Sequence, residues 1–177
     1  MPILQLLPLL RSHFDALQDR LACFCKYGCQ LEGWFKGELL TVLDAALQAG
    51  TIVDVDREIA TPAGKIDLRV TLPGEEPTWI ELKHWLIGVQ RGTRYGAGFY
   101  FGDPTSVGIT KDVKKLTDGE RAGLGYVLVL MTANPGNDEW RRGIEKFNRK
   151  FGPLRITSAS SPSDFPAAYF LGVLRVA

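Results

Sequence analysis

The sequence predicts one α/β domain over residues 1–177, built as a mixed central sheet flanked by helices. Three observations lead there. Stretches of helical period bracket strands of period-two alternation, Tyr126–Ala133 is a nearly continuous apolar run of the kind covered on both faces, and no linker or repeat divides the chain. The element order is helix, three strands, helix, strand, preceded by an N-terminal helix and followed by a C-terminal helix and strands.

The first ten residues are apolar but lack a basic leader and a small-residue cleavage site, and they are too short to span a bilayer. They are expected to enter a helix with the stripe Leu10, Phe14, Leu17, Leu21 and Phe24, in a cytoplasmic protein without a membrane partner. Cys23, Cys25 and Cys29 cannot form a disulfide framework, and they lack the paired Cys-x-x-Cys spacing of a zinc site. Buried helical thiols are the expectation.

Leu31–Ala49 reads as a helix closed by Gly50. Its stripe Leu31, Phe35, Glu38, Val42 and Ala45 is interrupted by Glu38, and a buried carboxylate requires a partner. Glu32 stands four residues before Lys36 and is expected to pair with it on the surface. Asp54, Asp56 and Glu58 then alternate with Val53 and Val55 as the outer face of a strand, Glu58 alone edging towards the hairpin that follows.

That hairpin carries the chemistry. Ile66, Leu68, Val70 and Leu72 alternate with Lys65, Asp67, Arg69 and Thr71; Ile80 and Leu82 alternate with Trp79, Glu81 and Lys83; Pro73–Pro77 supplies the turn. A symmetrical closure sets Asp67 opposite Lys83 with Glu81 on the diagonal, and a two-residue slip sets Asp67 against Glu81 on the same face. Two carboxylates this close repel unless a cation lies between them, and carboxylate oxygens with water suit Mg²⁺ or Mn²⁺. Lys83 on that face could assist a metal-bound water or neutralise charge on a phosphate. Ordinary cross-strand pairing of Asp67 with Lys83 or Arg69, and of Glu81 with Arg69, is the alternative for the same residues. His84 has the opposite parity, and a satisfied structural histidine is expected there.

A helix with Glu38, then strands carrying Asp67 and Glu81-Leu82-Lys83, resembles the core of the PD-(D/E)XK nuclease superfamily over roughly residues 31–135. Ile66 stands where the family label has proline. The resemblance implies a restriction endonuclease-like α-β-β-β-α-β core. It further implies that Asp67, Glu81 and the Leu82 backbone carbonyl bind Mg²⁺ or Mn²⁺, that Glu38 completes the site, and that Lys83 assists the attacking water. The implied activity is hydrolysis of phosphodiester bonds in nucleic acid, DNA foremost, and a homodimer is compatible with it.

Downstream, Thr110–Leu116 begins a helix similar to the basic segment that follows the catalytic strand in small members of that superfamily. Arg91, Arg94, Lys111, Lys114 and Lys115 follow the hairpin and are the candidate phosphate contacts, whereas the cations of the helix Asn137–Lys150 read as a solvated face opposite Trp140 and Phe147. Strands are expected at Leu154–Ser158 and Ala168–Val176. The Gly-rich segment Tyr95–Gly102 reads either as a loop over the site or as an aromatic turn filling a core edge. With 21 basic and 20 acidic residues the net charge is only +1, so no strongly basic footprint marks a nucleic-acid partner. A nuclease-like domain that binds nucleic acid or a protein partner without cutting, and a hydrolase for a small phosphate ester, are therefore the competing functions.

Overall fold

The computed structural model describes residues 2–90, 93–102, 108–118, 122–132, 137–151, 156–160 and 169–176. In chain order the elements are α1 (Pro2–Asp15), α2 (Gln18–Tyr27), α3 (Glu32–Gln48), β1 (Asp54–Thr61), β2 (Gly64–Thr71), β3 (Thr78–Leu86), β4 (Gly88–Gln90), β5 (Thr93–Tyr95), α4 (Ala97–Tyr100), α5 (Thr110–Thr117), β6 (Leu124–Thr132), α6 (Asn137–Phe151), β7 (Ile156–Ser160) and β8 (Tyr169–Arg175). Six strands form one mixed sheet in the order β1-β2-β3-β6-β8-β7, and β4 and β5 form a separate ribbon. Only β3 and β6 are parallel neighbours in the large sheet, joined by a crossover that contains α4 and α5. The fold is thus α/β with helices on both faces of a mixed sheet.

Two apolar layers hold it. On one face α1, α2 and α3 bury Leu10, Phe14, Leu21, Phe35, Leu39 and Leu43 against Leu68, Ile80, Leu82, Leu128 and Leu171. On the other, α4, α5 and α6 bury Phe101, Leu116, Trp140 and Phe147 against Trp85, Val127, Val129 and Phe170. The central β6 is apolar from Val127 to Met131 because both of its faces are covered. Gly172 is the close-approach point of the second layer: a Cβ there would lie 2.3 Å from the Trp140 ring.

The expected N-terminal helix is two helices. The chain breaks at Ala16–Leu17, where the Leu17 amide bonds back only three residues to the Phe14 carbonyl, and this turn lets both Phe14 and Leu21 face the core. The cysteines are not the buried thiols expected: Cys23 is exposed, and Cys25 and Cys29 are half-buried. The Gly-rich segment is a packed aromatic turn. Tyr100 stacks on Trp85 at 4.9 Å, its hydroxyl donates to the Leu86 carbonyl, and Phe101 packs edgewise between Trp85 and Trp140. Among the described residues no helix is long and apolar enough to cross a membrane.

One histidine sets the position of α3. The Leu31 amide, at the helix N-terminus, donates to His84 Nδ1 at 3.1 Å, while His84 Nε2 lies 2.9 Å from Thr132 Oγ1. With Nδ1 accepting, the ring proton sits on Nε2. Burial keeps the ring neutral by pushing its pKa down to about 4. His84 is therefore the satisfied structural histidine that its parity implied, and it ties the start of α3 to β3 and β6. At its other end α3 closes as expected, with Gly50 in the left-handed region at φ 69° and the Thr51 amide bonded to the Ala46 carbonyl.

Candidate active site

The site forms where β2 and β3 stop pairing. Their antiparallel register is Val70 with Thr78, Arg69 with Trp79 and Leu68 with Ile80. Carried one residue further, it sets Asp67 across from Glu81. The symmetrical closure, with Asp67 opposite Lys83, is thus corrected by two residues, because a turn from Leu72 to Glu75 closes early and β3 begins at Thr78. Beyond Ile80 a side chain replaces the strand ladder: the Leu82 amide donates to Asp67 Oδ2 at 2.9 Å. Leu82 meets the site through this N–H. On the outer strand, Glu58 adopts a left-handed φ of 55° beside the same position, which a non-glycine residue rarely does. Ile66 and Leu68 share a parity yet join opposite apolar layers, so β2 turns over as it passes Asp67.

Two helices supply the rest of the cluster. From α3, Lys36 Nζ reaches Asp67 Oδ1 at 2.6 Å and Glu58 at 3.8 Å, and Glu32 lies 3.8 Å from Lys83 Nζ. From α5, Lys115 Nζ reaches Glu81 Oε2 at 2.6 Å, and Asp112 sits 3.2 Å from Lys83 and 3.6 Å from Lys115. Glu81 and Asp112 are buried to 1% and 2% exposure. The Glu81 Oε1 atom is buried and accepts no N–H or ammonium among the described residues, while the Glu81 and Asp67 carboxyls lie within hydrogen-bonding reach of each other through a shared proton.

Burial and neighbours drive the two strand acids apart. Burial raises the Glu81 pKa, and the negative charges of Asp67 and Asp112 add to this; the Lys115 ammonium offsets only part, leaving it at about 8. Burial opposes ionisation of Asp67 too, but the Leu82 amide and the Lys36 ammonium outweigh it and hold Asp67 below the ordinary carboxylate value. For Lys83, burial is overcome by Asp112 and Glu32, which raise its pKa and keep it an ammonium at neutral pH. A lysine so held can stabilise negative charge but is a poor proton acceptor.

Of the residues singled out from sequence, Asp67, Glu81 and Lys83 come together, and Glu38 does not. Glu38 Oε2 lies 2.7 Å from His13 Nε2 and Glu38 Oε1 lies 3.2 Å from Arg20 Nη1, so its partners belong to α1 and α2. Glu32, expected to pair with Lys36, is the α3 acid at the cluster. Lys115, a candidate phosphate contact, bonds Glu81. Lys111 and Lys114 are exposed on α5. Arg91 lies outside the described residues, and for Arg94 the structure gives only its backbone place in β5. Arg69 turns to Asp54, at 2.9 Å, and to Asp56, leaving the strand acids to the lysines.

Asp112, Lys36 and Glu32 were missed as site residues. Asp112 had a readable sign: it is an acid four residues before Leu116, on the inner side of a short basic helix.

Mg²⁺ typically takes one or two protein carboxylates and keeps several waters. Asp67 and Glu81 fit that need, and Glu81 Oε1, which no N–H or ammonium occupies, offers an oxygen to such an ion once the proton between the two acids is displaced. No cluster of three or more metal-ligating side chains occurs among the described residues, so a cation here would depend on this pair and on water. No protein-family model, curated protein or solved structure matches the chain.

Proposed function

We propose that this chain is a metal-dependent nuclease with a restriction endonuclease-like core, hydrolysing phosphodiester bonds in nucleic acid, DNA foremost. The observation that carries the reading is the meeting of Asp67 and the buried Glu81 on adjacent strands, close enough to share a proton and ringed by lysines from two helices and the strand itself. A fold gains little from burying a carboxylate so disfavoured in its charged form. Perturbed acids gathered between sheet and helices are what catalysis requires. The order α3, β1, β2, β3, α5, β6, with β3 parallel to β6, agrees with the superfamily that the residues resemble.

Mg²⁺ or Mn²⁺ held by Asp67 and Glu81 would supply an activated water at neutral pH and polarise the scissile phosphate. The chain's own residues do the remaining work. The Leu82 amide fixes the rotation of the Asp67 carboxylate. Lys83, held charged by Asp112 and Glu32, stabilises negative charge that builds on the phosphate. Lys111 and Lys114 stand exposed on the helix that delivers Asp112, and they contact the nucleic-acid backbone.

A second reading is favoured by one observation: each strand acid already has a lysine at 2.6 Å, as in a binding domain that has no use for a metal. Plasmid nicking in Mg²⁺ or Mn²⁺ decides between them. The wild type and Glu38→Ala are expected to nick, and Asp67→Ala and Lys83→Ala to lose nicking. A wild type that binds plasmid without nicking it, or an Asp67→Ala variant as active as the wild type, overturns the nuclease assignment.

A further inference from the structure

Lys36 and Lys115 are each placed between two acids. Lys36 lies 2.6 Å from Asp67 and 3.8 Å from Glu58; Lys115 lies 2.6 Å from Glu81 and 3.6 Å from Asp112. In each pair one acid belongs to the proposed cation site and the other does not. The two lysines come from helices on opposite faces of the sheet, so the arrangement is repeated independently on either side of the site. Both ammoniums are largely covered, at 20% and 15% side-chain exposure, and electrostatic competition there is weakly screened.

A divalent cation between Asp67 and Glu81 would sit within reach of two positive charges now bonded to its ligands. Like charges at such distances repel strongly in a partly dry site. Each lysine has a second carboxylate within 4.0 Å toward which it can move, and a long flexible stem that allows the move.

Resting on the nuclease reading, we propose that Lys36 and Lys115 are exchangeable counter-ions, which leave Asp67 and Glu81 when a divalent cation enters and then bind oxygens of the substrate phosphate. The lysines thereby do two jobs in turn: they occupy the carboxyl oxygens of the empty site, and they clamp the phosphate in the loaded one. They compete with the metal and assist the substrate, so removing either lysine must move the two affinities in opposite directions. A lysine that only held the fold together would not do this.

The test is calorimetric titration of Mn²⁺ into the full chain for the wild type, Lys36→Met, Lys115→Met and the charge-matched control Lys65→Met, whose ammonium lies 4.0 Å from Glu58 on an exposed side chain. Binding of inorganic phosphate to the Mn²⁺-loaded proteins, followed by phosphorus NMR line broadening, supplies the second readout. Lys36→Met and Lys115→Met are expected to bind Mn²⁺ about tenfold tighter than the wild type, a change of about 1.4 kcal/mol. The same two variants, once loaded, should bind phosphate several-fold more weakly, with Lys65→Met unchanged in both measurements. A wild type that binds Mn²⁺ while both variants bind it equally or more weakly overturns the exchange and leaves the metal site standing. A wild type that shows no Mn²⁺ binding removes the metal reading and the exchange together.

Discussion

Glu81→Gln is expected, on the proposed nuclease reading, to lose cleavage by roughly a thousandfold or more, the scale for removing a group at a reacting centre, and to yield a more stable protein above neutral pH. The stability change follows from the sign of the pKa shift. The Glu81 pKa is raised from 4.5 to about 8 by burial, against the pull of Lys115, so between those values the folded chain holds a proton that the unfolded chain has released. Glu81 is therefore tolerated without penalty below about pH 4.5, and stability is lost progressively as the pH rises through about 8. Glutamine is neutral throughout and escapes the loss. Its advantage should be near zero at pH 4.5, grow with pH, and level off above pH 8 at a few kcal/mol, on the order of one kcal/mol per pH unit crossed. Denaturant midpoints across that range, without metal, read it directly. Saturating Mn²⁺ should then stabilise the wild type and not the variant, because only the wild type gains binding energy in the folded state. A variant less stable than the wild type at pH 8 would show that ionised Glu81 with Lys115 is a structural ion pair.

Asp112→Ala is expected to be the most destabilising single change in the cluster. Asp112 is buried to 2% exposure between the ammoniums of Lys83 and Lys115. Burial raises the Asp112 pKa even beside these two ammoniums, so its own ionisation is disfavoured as that of Glu81 is. Removing it nevertheless leaves two largely covered cations with one fewer counter-charge, and breaking a buried pair from one side costs about 3–5 kcal/mol, which outweighs the relief. The residue also sits in the first turn of α5, where a negative charge is favoured by the helix dipole. For a chain of this size the melting temperature should fall by roughly 10 °C. Asp112→Asn, which keeps the shape and part of the hydrogen bonding, should recover some of the loss. Thermal unfolding of the two variants at pH 7 checks this; a loss below about 1 kcal/mol for the alanine variant would remove Asp112 from the electrostatic core of the site.

Much of this site is legible in the sequence because its central part is local. Alternation along Lys65–Leu72 and Trp79–Lys83 places Asp67, Glu81 and Lys83 on one face whatever the register, since a shift by two leaves side-chain parity intact. The actual register depended on where the turn closed, and Leu72–Glu75 took it two residues from the symmetrical solution. The apolar run of β6 and the helical period of α6 are likewise direct consequences of burial pattern.

The helix acid was not legible, for a physical reason. A single stripe through Leu31, Phe35, Glu38, Val42 and Ala45 makes Glu38 the anomaly. Leu31, Phe35 and Val42 of that stripe are buried, but the buried face is centred on Leu39, Leu43 and Ala46, with Ala45 exposed, and this rotation turns Glu38 toward α1 and α2. Its partners His13 and Arg20 lie 25 and 18 residues earlier, beyond any local pattern. The same rotation brings Glu32 and Lys36 over the strands, where each finds a partner other than the helix neighbour four residues away. Lys115 is one of three lysines in a basic run, and only the approach of α5 to β3 separates it from exposed Lys111 and Lys114.

The central claim is that Asp67 and Glu81 share a divalent cation, and anomalous scattering from crystals grown with saturating Mn²⁺ measures it most directly. The account predicts one manganese peak at ligand distance from both carboxylates, with Lys36 and Lys115 withdrawn towards Glu58 and Asp112. A map without such a peak, in which both lysines still hold the strand acids, would contradict it.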